Sequence, residues 1–193
     1  MITTAPESGQ AHEAYKQIAE AINLETFNLS GNMDWRQLLL TIGVDTACAS
    51  GTSNVRRVYI PNVVEVTGVQ YLIGSVGGTD KVIAALYDST GALLRVSAVA
   101  GATVGTAATI QQVPFALDGA GAAATTITLE SGFYWIGLTF NGTTAKLRTV
   151  PTLSNVGTSL LGNGGLTQTF GTPIAITPPT TFTASKVPYT STY

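Results

Sequence analysis

Short runs of β-forming residues, separated by turn signals, fill the chain from Val55 to Val150. Dipeptides such as Pro61-Asn62 and Gly77-Gly78 favour a tight turn between one run and the next. Because no helical pattern lies between the runs, their spacing predicts a mainly β domain, an antiparallel sandwich or barrel. The predicted strands cover residues 56–60, 63–67, 69–76, 81–87, 92–99, 109–115, 125–129, 133–140 and 144–150.

The stretch from Ile127 to Val150 predicts a β-hairpin, because Asn141-Gly142 lies between two strand-like runs and suits a two-residue turn. In the register that this turn sets, the large apolar side chains share one face, which we expect to be core. On the other face, Trp135 is expected to lie beside Arg148.

The run Lys81–Tyr87 is apolar on both faces. A strand of this kind is typical of the middle of a sheet with both faces covered. We expect one face to be covered by the N-terminal helix or by a neighbouring subunit.

Residues 1–54 form a different segment, which we interpret as a helical arm and a linker. Ser8 is a suitable helix cap, and the apolar residues that follow it have helical spacing. A second short helix is predicted over residues 34–42, and the small residues 43–54 are predicted to be a linker. The arm has narrow apolar stripes that must pack on something. Its predicted assembly contacts are Tyr15, Ile18 and Ile22.

Residues 151–193 are rich in Gly and Pro, yet they also contain recurrent large apolar residues. A disordered tail is usually poor in such residues, so we expect this extended C-terminal arm to be ordered by contact. Residues 181–187 are a candidate last strand. The predicted assembly contacts in this arm are Leu160, Leu161, Phe170 and Tyr193.

The composition disfavours several partner classes. Charged residues make up only 10% of the chain, so little repulsion opposes association and we expect neighbours. A net charge of −2 disfavours nucleic acid, and we interpret Arg56-Arg57 as a solvated strand edge or an interface contact. The N-terminus is no signal peptide and no apolar run is long enough for a membrane span.

Catalytic chemistry is not indicated by any motif, and no metal or cofactor is predicted. The single histidine, His12, lies in the predicted helix, and Cys48 lies among small residues. Carboxylates near loops, such as Asp80 and Asp118, leave a glycoside hydrolase as a third and remote hypothesis. We therefore predict a protein that is not an enzyme.

Exposed aromatic residues suggest a binding hypothesis. In the predicted hairpin, Phe133 and Trp135 lie on the face opposite the core, close to Arg148. Aromatic side chains beside polar ones can form a platform for a glycan. The alternatives are that this face is a second core layer or a subunit interface.

The middle of the chain resembles the β-sandwich modules of tailed-bacteriophage virion proteins. The residues that carry the resemblance are VTGVQYLIGSVGGTDKVIAALYDSTGALLRVSA and ITLESGFYWIGLTFNGTTAKLRT, within residues 55–150. In such modules a GxxY strand precedes an apolar strand ending in ALYDxxG, and a GxYW strand leads into a short turn. The resemblance implies a jelly-roll-type sandwich, frequent trimers and a role in particle assembly.

These observations predict a non-enzymatic virion protein, most simply a capsid decoration or cement protein that contacts its own copies as a homotrimer and the major capsid protein. The alternative is a tail-fibre or receptor-binding module that recognises a host surface glycan. For the first function, deletion of residues 152–193 is expected to abolish particle binding and to leave the sandwich folded.

Overall fold

The computed structural model describes residues 43–149, 163–180 and 187–193, and every regular element in this part of the chain is a β-strand. The mainly β class is therefore confirmed. The predicted N-terminal helices lie outside the described residues. The strands are β1 (Val44–Ala47), β2 (Thr52–Ile60), β3 (Val64–Val66), β4 (Gly68–Leu72), β5 (Lys81–Tyr87), β6 (Leu93–Ser97), β7 (Ala102–Thr103), β8 (Ile110–Asp118), β9 (Ile127–Leu129), β10 (Gly132–Phe140), β11 (Lys146–Thr149), β12 (Asn163–Thr167) and β13 (Thr190–Thr192).

Each of the nine predicted strands overlaps a strand of the structure, and Lys81–Tyr87 has the predicted bounds. The prediction that residues 43–54 are a linker is wrong, because they contain β1 and the first residues of β2. Small polar residues such as those of this segment read as a loop when they stand alone. Here they are strand residues because β11 and β10 supply partners for them.

The strands pair antiparallel in three sheets. The largest sheet has nine strands, in the order β12-β2-β10-β5-β6-β8-β4-β13, with β7 also paired to β5. Two small sheets consist of β1 with β11 and of β3 with β9. The pairing shifts register within β5–β6 and within β6–β8, and such bulges bend a sheet.

The main core gathers side chains from distant strands of the large sheet. Leu86 of β5 and Ile136 and Leu138 of β10 pack in one cluster with Phe115 of β8 and Leu147 of β11. All five side chains are buried. The alternate residues of β5 and β10 point to the opposite side, which we call the outer face.

The outer face is also covered. Ile83, Ala85 and Tyr87 of β5 form a second buried cluster with Val96 and Trp135. Confirming the prediction for Lys81–Tyr87, this strand is central and buried on both sides.

The C-terminal segment, and not the N-terminal helix or a neighbouring subunit, supplies the cover seen over this face. Phe170 and Ile176 pack against the second cluster, and the Ile176 N–H donates to the Gly91 carbonyl oxygen at 2.9 Å. The same segment adds β12 beside β2 and β13 beside β4, at the two ends of the large sheet. Most of the predicted last strand, residues 181–187, lies outside the described residues.

The predicted hairpin of Ile127–Val150 is wrong. β10 pairs with β2 on one side and with β5 on the other, whereas β11 pairs with β1 in a different sheet. The chain leaves the large sheet after β10 because Asp80 binds the connection: its Oδ2 accepts from the N–H groups of Thr144 and Ala145, each at 2.8 Å. A Cβ on Gly142 would collide with the same carboxylate, so close approach, and not a positive φ, explains this glycine.

Two other predicted turns are confirmed, and they use the same device. Asp88 Oδ1 accepts from the N–H groups of Thr90 and Ala92, and Asp118 Oδ1 accepts from those of Ala120 and Ala122. The residue three positions after each aspartate is a glycine with positive φ, 92° at Gly91 and 88° at Gly121.

Candidate binding surface

The structure separates the residues of the predicted glycan platform. Arg148 lies on β11, where its Nη1 is 2.8 Å from Asp45 Oδ1 on the paired strand β1. Trp135 lies on β10, opposite Arg57 of β2 and Tyr87 of β5. The expectation that Trp135 lies beside Arg148 is therefore wrong, because β10 and β11 do not pair.

Arg57 takes the place predicted for Arg148. Its guanidinium carbon lies 3.9 Å from the centroid of the Phe133 ring, a cation–π distance. The Tyr59 ring packs on the same phenyl group, with centroids 5.0 Å apart and planes tilted by 52°. We call Arg57, Tyr59 and Phe133 the aromatic patch. Its register explains it, since Tyr59 faces Phe133 directly across β2 and β10.

The aromatic patch is open to solvent. Tyr59 is 44% exposed and Phe133 is 40% exposed. The Tyr59 hydroxyl lies 3.3 Å from Ser131 Oγ, a long hydrogen bond that either group could donate. The patch therefore combines ring surface, two hydroxyls and a guanidinium group.

Trp135 marks the buried border of the patch. It is two residues from Phe133 on the same face of β10, yet it is only 4% exposed and belongs to the second cluster. Its Nε1 has no hydrogen-bond partner among the described residues. Of the hypotheses for this face, the second core layer describes Trp135, and the exposed platform describes Phe133.

A buried polar network lies beside Trp135 on the outer face. Gln168 Oε1 accepts from the hydroxyls of Tyr87 and Thr139, at 3.3 and 3.1 Å, and Gln168 Nε2 donates to the Ile174 carbonyl oxygen at 2.9 Å. Burial raises the pKa of Tyr87 to about 12, so its phenol is neutral at physiological pH. The network fixes the C-terminal segment over the strands that carry the patch.

The predicted assembly contacts are only partly described. Tyr15, Ile18, Ile22, Leu160 and Leu161 lie outside the described residues.

The other two predicted contacts lie against this chain's own domain. Phe170 packs on the second cluster. Tyr193 exchanges backbone hydrogen bonds with residues that flank β4: its carbonyl oxygen accepts from Thr67 N–H at 2.7 Å, and its N–H donates to the Gly68 carbonyl oxygen at 3.2 Å.

Carboxylates of the described residues serve the fold. Asp80, Asp88 and Asp118 accept hydrogen bonds from backbone N–H groups of connecting segments. No group of three His, Cys, Asp or Glu in the described part of the chain could hold a metal ion. His12 lies outside the described residues, and Cys48 is buried in the main core.

Acid pH is expected to destabilise the protein partly through Asp45. Burial by itself raises the pKa of Asp45, but hydrogen bonds from Ser75 and the Arg148 guanidinium outweigh it, so the pKa lies below its usual 3.8. The ionised form therefore stabilises the fold above pH 3.8, and this contribution is lost as the pH falls through the lowered value.

Asp45→Asn should lower the free energy of unfolding at pH 7 by on the order of 1 kcal/mol and flatten its fall below pH 4. Urea unfolding from pH 7 to pH 2.5 measures both effects. Part of the acid slope should remain, because hydrogen bonds also lower the pKa of Asp88 and Asp118. An unchanged slope in the variant would contradict the role of Asp45.

Two residues of the patch were missed by the sequence analysis. Alternation along Arg57–Tyr59 could have placed both side chains on one face, but it gives no information about the strand that pairs with them. The interpretation of Arg57 as a solvated edge or an interface contact did not include its stacking on Phe133.

Comparison with known proteins gives no family assignment. Among the described residues, no helix has the length and apolar character needed to cross a membrane. No protein-family model, no curated protein and no solved structure matches the chain.

Proposed function

We propose that this chain is a non-enzymatic structural protein of a tailed-bacteriophage virion, where it decorates or cements the capsid. The proposal includes a jelly-roll-type sandwich for residues 55–150, a short N-terminal helical arm, a homotrimeric assembly and contacts with the major capsid protein. It is supported by the resemblance of the strand and turn pattern and by the low charge of the chain.

One observation carries this proposal: exposed apolar side chains concentrate where β2 and β10 meet their connections. Val63 is 61% exposed, and Val64, Tyr59 and Phe133 are also exposed. The pairs Ile60–Gly132 and Val64–Leu129 bring the segments 59–64 and 129–133 side by side. Burying such surface between subunits contributes about 25 cal/mol per Å² before the entropy cost of association.

Val63→Asp is expected to weaken binding to capsids at least about tenfold, because burying an unpaired carboxylate costs more than the 1.4 kcal/mol that a tenfold change requires. Cosedimentation with undecorated particles of the phage that encodes the chain measures this. Val99→Asp is the matched control, since Val99 is also an exposed valine but follows β6. Equal binding of the two variants, or no binding by the unmodified chain, would contradict the proposal.

A second function, recognition of a host surface glycan by a tail-fibre or receptor-binding module, is favoured by the aromatic patch. Exposed rings beside hydroxyls can receive the C–H face of a sugar and bond to its hydroxyls. The structure moves the candidate platform from Phe133, Trp135 and Arg148 to Arg57, Tyr59 and Phe133.

A further inference from the structure

We propose that the aromatic patch binds a saccharide that carries a carboxylate, with Arg57 as the residue that recognises the acid. This inference rests on the second function proposed above, glycan recognition, and specifies its ligand class. It is independent of the capsid-binding proposal.

The orientation of Arg57 is set by the phenyl ring on which it lies. A guanidinium stacked on an aromatic face is held in a defined plane, and it presents its N–H donors along the edges of that plane. A carboxylate accepts two parallel bonds from such an edge, out of the five donors that the group has. The 3.9 Å stack on Phe133 thus makes Arg57 a preorganised acceptor site for a carboxylate.

The rings and hydroxyls beside Arg57 determine the rest of the ligand. Tyr59 offers an exposed ring tilted by 52° to Phe133, which suits the C–H face of a pyranose ring better than a flat aromatic ligand. The Tyr59 and Ser131 hydroxyls lie 3.3 Å apart and can exchange their long mutual bond for bonds to sugar hydroxyls. A ligand with apolar faces, several hydroxyls and one carboxylate meets all these groups.

A peptide ligand fits less well. The described patch is an open surface with no groove to align a peptide backbone, and its polar groups are two hydroxyls and one cation. The acidic residue Glu130, next to Ser131, is exposed, and it disfavours polyanions that would cover the whole surface. One acid group per binding unit, as in a uronic or sialic acid, places the charge at Arg57 alone.

Trp135 provides a signal for binding at this site. It borders the patch on the same face of β10, and its unsatisfied Nε1 makes its emission sensitive to a nearby polar ligand. The chain has two tryptophans, Trp35 and Trp135, so Trp35→Phe leaves Trp135 as the sole indole reporter.

The test uses the full chain with oligogalacturonate and sialyllactose as acidic probes, and with their methyl esters as neutral probes of the same shape. Calorimetry and the Trp135 fluorescence should show at least tenfold tighter binding of an acid than of its ester. Arg57→Gln should remove this preference while binding of the ester persists, and Phe133→Ala should weaken both. Val99→Ala, with exposure similar to that of Phe133, should change neither.

The outcomes separate the two claims. Equal binding of acid and ester by the unmodified chain would overturn the role of Arg57 and leave glycan recognition standing. An acid preference that survives Arg57→Gln would place the site elsewhere and also overturn the inference. No binding of any acidic or neutral probe, including a panel of neutral oligosaccharides, would overturn both the inference and the second function.

Discussion

Deleting residues 163–193 is expected to abolish the cooperative unfolding transition of the domain. The deletion removes β12 from β2 and β13 from β4, and it uncovers the second cluster around Tyr87 and Trp135. Loss of Phe170 and Ile176 alone exposes apolar surface worth about 1.5–3 kcal/mol per side chain. Together with the lost strand pairing, this approaches the 5–15 kcal/mol that stabilises a typical domain. The structure thus replaces the sequence-based expectation that a chain without residues 152–193 stays folded.

Near-ultraviolet circular dichroism and thermal unfolding measure the effect, and dye binding should report the uncovered outer face. Ile174→Ser is the matched control in the same segment, since Ile174 is 60% exposed and its loss should shift the midpoint little. Gly91→Ala should give an intermediate result, about 1–3 kcal/mol from its positive φ and more from the collision of a Cβ with the Ile176 carbonyl oxygen. A truncated chain that melts as sharply as the full chain would contradict this account.

Trp135→Ala is expected to lower the free energy of unfolding by about 3–5 kcal/mol, the usual cost of removing a buried aromatic side chain. The indole lies in the second cluster between strands β2 and β5, and little of the resulting cavity can fill, because Tyr87 and Gln168 are held by hydrogen bonds. Equilibrium denaturation with guanidinium chloride measures the change.

Phe133→Ala, two residues away on the same face, is the control for Trp135→Ala. Phe133 is half exposed and its main contacts are Arg57 and Tyr59, so about 1 kcal/mol or less should be lost. The pair of variants therefore separates core from surface on one strand face. Similar losses for both variants would contradict the burial of Trp135.

Strand positions and turns could be predicted from the sequence because they depend on neighbouring residues. Alternation and β-branched composition located all nine predicted strands, and the Asp-x-x-Gly turns at Asp88 and Asp118 close through hydrogen bonds within five residues. The double-sided apolar character of Lys81–Tyr87 also indicated its central position.

Strand neighbours could not be predicted in the same way. Asn141-Gly142 is a strong hairpin signal, but β10 has partners from β2 and β5, more than forty residues away in sequence. The residue that redirects the chain is Asp80, whose carboxylate binds Thr144 and Ala145 across a sequence distance of 64 and 65 residues. A local pattern contains no information about such a contact.

The candidate surface followed the same division. The exposed Phe133 was identified from the sequence, since its position in a strand is a local property. Its companions Arg57 and Tyr59 depend on which strand lies beside β10, and so does the burial of Trp135. The error in strand pairing therefore became an error in the choice of arginine.

The two end strands of the large sheet, both supplied by the C-terminal segment, determine when the domain can form during synthesis. Tyr193 bonds to Thr67 at a separation of 126 residues, and β2 waits for β12 over a similar distance. On the ribosome, the apolar outer face of β5 and β10 is therefore made long before its cover. Contacts so distant in sequence slow folding and prolong exposure of unpaired edges. The nascent chain should depend on chaperones until the last strand has emerged from the exit tunnel.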